Sequence, residues 1–176
     1  MISVEEVTEL DRGVFDTLFA HSLPYIDAGT FHWSVLGNPT TAEEKADALW
    51  GHFQKFMATG RCKALVWRED DEPLSMAVGA IDTGDEDYIK WVVILYGPDA
   101  NGSRAYMHQR SFIEMNRQQL RDVWGLKGLR ASCVNGSSVM QTHLNKTEGA
   151  DYFDITHEVH EENNGIQLAT FTYTYK

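Results

Sequence analysis

One stretch limits the fold more than any other. Trp91-Val92-Val93-Ile94-Leu95 sits inside a strand-like run from Tyr88 to Tyr96. A strand that is apolar at consecutive positions has both faces covered, so it belongs in the middle of a sheet rather than at its rim. The neighbouring segments supply the rest of that sheet. Ile2 to Thr8, Cys62 to Arg68, Leu74 to Asp82, Leu129 to Val134, Asp151 to His160 and Ile166 to Tyr175 all read as strands. Glu69-Asp70-Asp71-Glu72-Pro73 and Asn164-Gly165 read as hairpin turns between them.

Helical periods fill the gaps. Asp11 to His21 places Val14, Phe15, Leu18 and Phe19 on one side. Thr41-Ala42-Glu43-Glu44 is a capping-box pattern, followed by Ala46, Leu49, Trp50, Phe53, Phe56 and Met57 at helical spacing, and Gly60 stops that helix. Ser103 can cap a helix running to about Trp124, and Ser137 to Glu148 forms another, closed by Gly149. The four prolines (Pro24, Pro39, Pro73, Pro98) all fall in stretches that read as connections. Leu23 to Thr40, with Tyr25, Gly29, Phe31, Trp33 and Gly37, is turn-rich and reads either as a lid on a substrate side or as a packed loop. The resulting order is β-α-α-β-β-β-α-β-α-β-β. It predicts one α/β domain over residues 1–176 with a mixed central sheet, antiparallel in its first half and with a parallel or splayed crossover in its second.

Composition narrows the function classes. The chain has 176 residues, enough for one domain with a core of its own. Its 26 acidic and 15 basic side chains give a net charge of −11, which argues against general binding to nucleic acid or anionic membranes. No apolar run approaches the ~20 residues that span a bilayer, and Met1-Ile2-Ser3-Val4-Glu5-Glu6 is acidic where a secretory signal would be basic. A soluble, cytoplasmic protein is expected. Cys62 and Cys133 form no CxxC pair and read as buried, inert thiols in strands. His157 and His160 stand three apart on a strand and so face opposite sides; His32 and His108 have no partner at ligand spacing, so no metal is expected.

The charge is uneven along the chain. Residues 1–103 are net −11, residues 104–130 net +4 and residues 131–176 net −4. On a helix, Arg110, Glu114, Arg117 and Arg121 fall in one stripe. The stripe reads either as a solvated face or as a docking strip for an acidic protein surface or a nucleotide phosphate.

The element order resembles the GNAT N-acetyltransferase superfamily over essentially the whole chain. A narrower likeness lies in the last quarter. Asn135-Gly136-Ser137-Ser138, His143 to Ala150 and Gly165 to Thr172 resemble the C-terminal part of GNAT-like internal virion, or morphogenesis, proteins of short-tailed phages.

The GNAT resemblance implies a phosphate-holding loop after the fourth strand, with the pattern Arg/Gln-x-x-Gly-x-Gly/Ala at a helix N-terminus. The matching stretch is Asp99-Ala100-Asn101-Gly102-Ser103-Arg104-Ala105, so Asn101, Gly102, Ser103, Arg104 and Ala105 are the cofactor-binding candidates. In one register Asp99 stands where Arg or Gln belongs, and in the other Ala100 does. Asn135 matches the family's asparagine on the pantetheine arm. The family's tyrosine some seven residues further on is missing, with Thr142 and His143 in its place. His143 can serve as an acid there, or pack in the core beside Val139, Met140 and Leu144. A general base is expected to be a carboxylate near the sheet's central opening. Glu86 is the candidate, within an Asp82 to Asp87 run that also reads as a solvated hairpin tip.

Two functions follow. One is a binding protein with a degenerate acyl-CoA site and no required cofactor, an internal virion or morphogenesis factor that docks another phage protein through Arg110, Arg117 and Arg121. It would act in the host cytoplasm or the virion interior. The other is an active acetyl-CoA-dependent N-acetyltransferase for an amine or a protein lysine.

Overall fold

The computed structural model describes residues 2–97, 116–147, 151–162 and 164–176. Seven strands form one mixed sheet: β1 (Ile2–Val7), β2 (Cys62–Glu69), β3 (Glu72–Ile81), β4 (Tyr88–Tyr96), β5 (Gly128–Val134), β6 (Phe153–Glu161) and β7 (Gln167–Tyr175). Their spatial order is β1-β2-β3-β4-β5-β7-β6. All neighbours are antiparallel except β4 and β5, which run parallel at the centre. This is the single α/β domain that the order of elements predicts.

The helices start where their caps place them. α1 (Arg12–Tyr25) begins at Asp11, whose carboxylate accepts from the Val14 amide at 3.0 Å. α2 (Ala42–Ala58) begins with a complete capping box between Thr41 and Glu44. α3 (Ser138–Thr147) follows β5. The expected helix from Ser103 falls outside the described residues as far as 115. Its described end is π-helical at Gln118–Val123.

Two cores cover the two faces of the first half of the sheet. On one face Phe15, Leu18 and Phe19 of α1 and Leu49 and Phe53 of α2 pack on Ala64, Val66, Met76 and Val78. On the other, Leu65, Trp67, Ala77, Ile89 and Trp91 meet Leu120 and Leu126. Alternate residues of β2 thus enter opposite cores, which is why the strand reads as apolar throughout.

β4 changes sides part-way along. Val78 pairs with Val93 but Gly79 pairs with Trp91, so Val92 is the extra residue of a β-bulge. Ile89 and Trp91 enter the second core, whereas Val93 and Leu95 enter the first. Without the inserted residue all four would share one face.

Two prolines lie within elements rather than in connections. Pro24 occupies the last turn of α1, because the chain does not turn at Leu23: it continues into a π-helical segment, Ile26–Thr30, and then a 3-10 turn, Trp33–Leu36. Pro73 is the second residue of β3. It stands opposite Arg68 where the β2–β3 register shifts, a place where a missing ladder donor is tolerated. The turn between those strands has Asp70 at φ +47° and Asp71 at φ +74°, the double left-handed geometry that matches strand twist.

Candidate functional site: the opening between β4 and β5

The central parallel pair is short. β4 and β5 pair only from Tyr88↔Gly128 to Trp91↔Ala131, although β4 runs on to Tyr96 and β5 to Val134. The two strands are held by different neighbours beyond that point. β4 is tied to α1 by Ser22, whose buried hydroxyl accepts from the Tyr96 amide at 2.7 Å and lies 3.1 Å from the Tyr96 carbonyl. It is tied to β3 by Ser75, which donates to the Leu95 carbonyl at 2.7 Å. β5 instead follows β7 as far as Val134↔Leu168. A cleft of about 720 Å³ opens between them.

Its closed end is clamped by ions. Arg130 on β5 reaches Asp82 at 2.6 Å and Asp85 at 3.4 Å, and its guanidinium lies 4.3 Å over the Tyr88 ring. Lys127 pairs with Asp87 at 2.9 Å. Partial burial works against the Asp82 carboxylate, but the Gly84 amide and Arg130 outweigh it and hold its pKa below the ordinary value.

About a third of the cleft lining is aromatic, and much of the rest is aliphatic. Among the described residues the walls include Tyr25, Trp67, Trp91, Tyr96, Tyr152, Phe153, Tyr173 and Tyr175, with Asp151 the one carboxylate. His143 projects into the cleft from α3. Its Nδ1 lies 2.5 Å from the Tyr173 hydroxyl, and its ring stacks on Phe171 at 4.8 Å. Tyr173 is 6% exposed, and burial pushes its phenol well above the usual range. Tyr175 is raised for the same reason, and its buried hydroxyl has no hydrogen-bond partner among the described residues.

The other expected site residues are dispersed. Glu86 lies beyond the clamped end, outside the described cleft lining; its side chain is 81% exposed and 3.8 Å from Arg61. Asn135 fixes the loop after β5 to β7, donating to the Gln167 side chain at 3.0 Å. Asn101, Gly102, Ser103, Arg104, Ala105 and Arg110 lie outside the described residues. Arg117 immediately precedes the π-helical turn and Arg121 lies within it, a turn wider than the α-helix that their stripe assumes. Cys133 is buried, with its thiol pushed up to about 11. No metal-binding group of His, Cys, Asp and Glu occurs among the described residues, and no described helix is long and apolar enough to cross a membrane.

Tyr173 and Tyr175 are the residues that the sequence reading missed. Their signal is the alternation Ala169, Phe171, Tyr173, Tyr175, which marks one face of β7. Nothing local says that β7 inserts beside β5, opposite His143.

A seven-stranded mixed sheet whose central parallel pair splays into a cleft is a recognisable architecture. The fold is the GNAT fold. A GNAT-family protein from Desulfovibrio desulfuricans shares it with a TM-score of 0.61 at 14% identity, covering 99% of each chain. The ribosomal-protein-S18-alanine N-acetyltransferase of Escherichia coli matches with a TM-score of 0.51 at 11% identity, over 100% of this chain and 95% of that one. A spermidine/spermine N-acetyltransferase of Vibrio cholerae matches with a TM-score of 0.55 at 13% identity, over 99% and 93%. No family model matches the sequence, and no curated protein matches it. At these identities the likeness to GNAT structures is one of fold. The likeness of the last quarter to phage virion proteins gains no support from these matches.

Proposed function

We propose that this chain is an acetyl-CoA-dependent N-acetyltransferase acting on an amine. The observation that carries the reading is the parting of β4 and β5 after Trp91 and Ala131. Past that point the ladder between the two strands stops, and the bulge at Val92 turns the strand at the cleft wall. An extended, amide-containing arm can pair with a strand edge of this kind. The residues present fit such a group: the cleft is mostly apolar, and the Tyr175 hydroxyl there has no hydrogen-bond partner among the described residues.

Val92, Val93 and Ile94 would lie along the arm. The GNAT resemblance assigns its phosphates to the Asn101–Ala105 stretch, which lies outside the described residues. Bound acetyl-CoA supplies a thioester: the amine nitrogen bonds to its carbonyl carbon, the C–S bond breaks, and the thiol leaves with the proton the amine gives up. The chain's own part is to exclude water, orient the amine and hold a proton between His143 Nδ1 and Tyr173.

Calorimetric titration with acetyl-CoA tests this. Saturable binding in the micromolar range, weakened when Val92 is replaced by Pro, is the expected result. A second reading rests on Asp99, which would repel a phosphate at that loop, and on the C-terminal likeness. It makes the chain a protein-binding virion factor without acyl transfer. Absence of acetyl-CoA binding, with a virion protein captured through Arg117 and Arg121, would favour it.

A further inference from the structure

β6 ends the sheet, with β7 on one side of it. Asp154 is exposed, and so is every residue from Thr156 to Glu161. Val159 is among them at 48%. A strand in this place presents a row of N–H and C=O groups, and sheets ordinarily blunt such an edge with a lysine, a proline, a bulge or a short strand. β6 has none of these. It is nine residues long, holds no Lys, Arg or Pro, and pairs with β7 from Phe153↔Tyr175 to Glu161↔Gln167 without a break in register. The opposite edge strand, β1, is six residues long.

The β6–β7 ladder fixes which backbone groups face outward. The Tyr152 carbonyl accepts from the Lys176 amide at 3.0 Å, and the Glu162 amide donates to the Ile166 carbonyl at 2.9 Å. Successive residues of an antiparallel strand bond to opposite sides, so the even residues from 152 to 162 bond towards β7. Phe153, Ile155, His157, Val159 and Glu161 therefore aim N–H and C=O at the open edge. Among the described residues no backbone group meets them there.

A second copy of the same strand fits that edge. Two antiparallel copies related by a two-fold axis perpendicular to the sheet place each outward-bonding residue opposite another. One register alone pairs all nine residues, the one with His157 on the axis. It sets Ile155 opposite Val159 of the second copy, an apolar pair, and Asp154 opposite His160 of that copy. Glu158 then meets Thr156 and Glu161 meets Phe153, so no acidic side chain stands directly opposite another. Sliding by two residues in either direction sets Asp154 opposite a glutamate, Glu158 or Glu162.

The Asp154 and His160 pair falls at a non-hydrogen-bonded position, where opposing Cα atoms come to about 4.5 Å and side chains are closest. In one copy His160 lies 3.3 Å from Glu162, an exposed contact that the facing carboxylate can replace.

We propose that the chain forms a two-fold dimer through β6, antiparallel with His157 on the axis, so that one sheet runs through both copies. About ten backbone hydrogen bonds would join them. The contact does not depend on the acyl-transfer reading above.

Sedimentation equilibrium of the full chain over a range of concentrations tests this, with far-UV circular dichroism reporting the fold. The wild type should sediment as a dimer at micromolar concentration. Val159→Pro removes one outward N–H and none of the bonds to β7, so it should leave a folded monomer. His160→Glu puts a carboxylate opposite Asp154 at two symmetric places and should weaken the dimer ~10-fold. Adding Asp154→Lys makes the facing charges opposite again, so the double variant should return to within ~3-fold of the wild type. These two exposed substitutions read the register even if Val159→Pro fails to fold. A wild type that stays monomeric up to ~1 mM overturns the proposal and leaves the edge to a strand of another protein. A dimer that Val159→Pro does not weaken joins through another surface and overturns it too. Failure of Asp154→Lys to rescue His160→Glu overturns the register.

Discussion

A phenol 2.5 Å from an imidazole nitrogen, with the phenol closed off from water, behaves differently from either group alone. Burial keeps the Tyr173 hydroxyl protonated, so one proton is shared between it and Nδ1 of His143. Removing the hydroxyl leaves that nitrogen without its phenol partner. Tyr173→Phe should cost about 1 kcal/mol in urea unfolding, the usual net worth of such a bond. The pH dependence has a definite sign. A phenol whose folded pKa is raised stabilises the fold fully below its unfolded value, 10.0, and that contribution is lost as pH climbs above it. Stability should therefore fall above pH ~10 more steeply in the wild type than in Tyr173→Phe; equal slopes would show that the phenol is not held neutral by the fold. A histidine among apolar helix neighbours was legible as a packed residue. Its partner was not, because a β7 tyrosine reaches it only through a sheet order that puts β7 between β5 and β6.

Elements defined by neighbours in sequence were the easiest to read. The Thr41–Glu44 capping box and the Asp70-Asp71 turn need only four or five residues to form, and both stand where the sequence places them. The β4 bulge needs a partner strand to exist, so no period in Tyr88 to Tyr96 announces it. Its counterpart is Gly79, under the Trp91 ring. A Cβ there would lie 2.6 Å from the ring and 2.8 Å from the Lys90 carbonyl. Neither neighbour can withdraw: Trp91 is 6% exposed in the second core, and the carbonyl belongs to the strand. Gly79→Ala should lower stability by about 1–3 kcal/mol, the range for overpacking, despite alanine's lower backbone entropy in the unfolded chain. Equilibrium unfolding followed by tryptophan fluorescence reads this directly. A neutral outcome would mean that the strand shifts to admit the methyl, and that the bulge is not fixed by this contact.

At the scale of the whole molecule, the basic surplus between residues 104 and 130 takes on a structural meaning. Two of its cations, Lys127 and Arg130, are spent within the fold on Asp87, Asp82 and Asp85, where they close the base of the splayed pair. The acidic run that reads as a solvated tip is thus half of a clamp, and the segment offers less positive charge to a partner than its count suggests. Arg130 is the member to remove, because its side chain is 21% exposed and that of Asp82 23%. Arg130→Gln keeps much of the volume and abolishes the charge. The expected loss is about 1–3 kcal/mol at pH 7, between the values for exposed and fully buried pairs. Asp82 has a depressed pKa, so its contribution is present above the unfolded value of 3.8 and lost as pH falls through the folded one. The difference between wild type and variant should therefore shrink as pH falls below 3.8, measured as urea midpoints across the acid range. A difference that stays constant down to pH 2 would assign the loss to Arg130 packing on Tyr88 and not to the ion pairs. A clamp that works through charge should also make the cleft easier to spread when it is cut, so acetyl-CoA affinity should weaken in Arg130→Gln although the residue lies at the far end of the V.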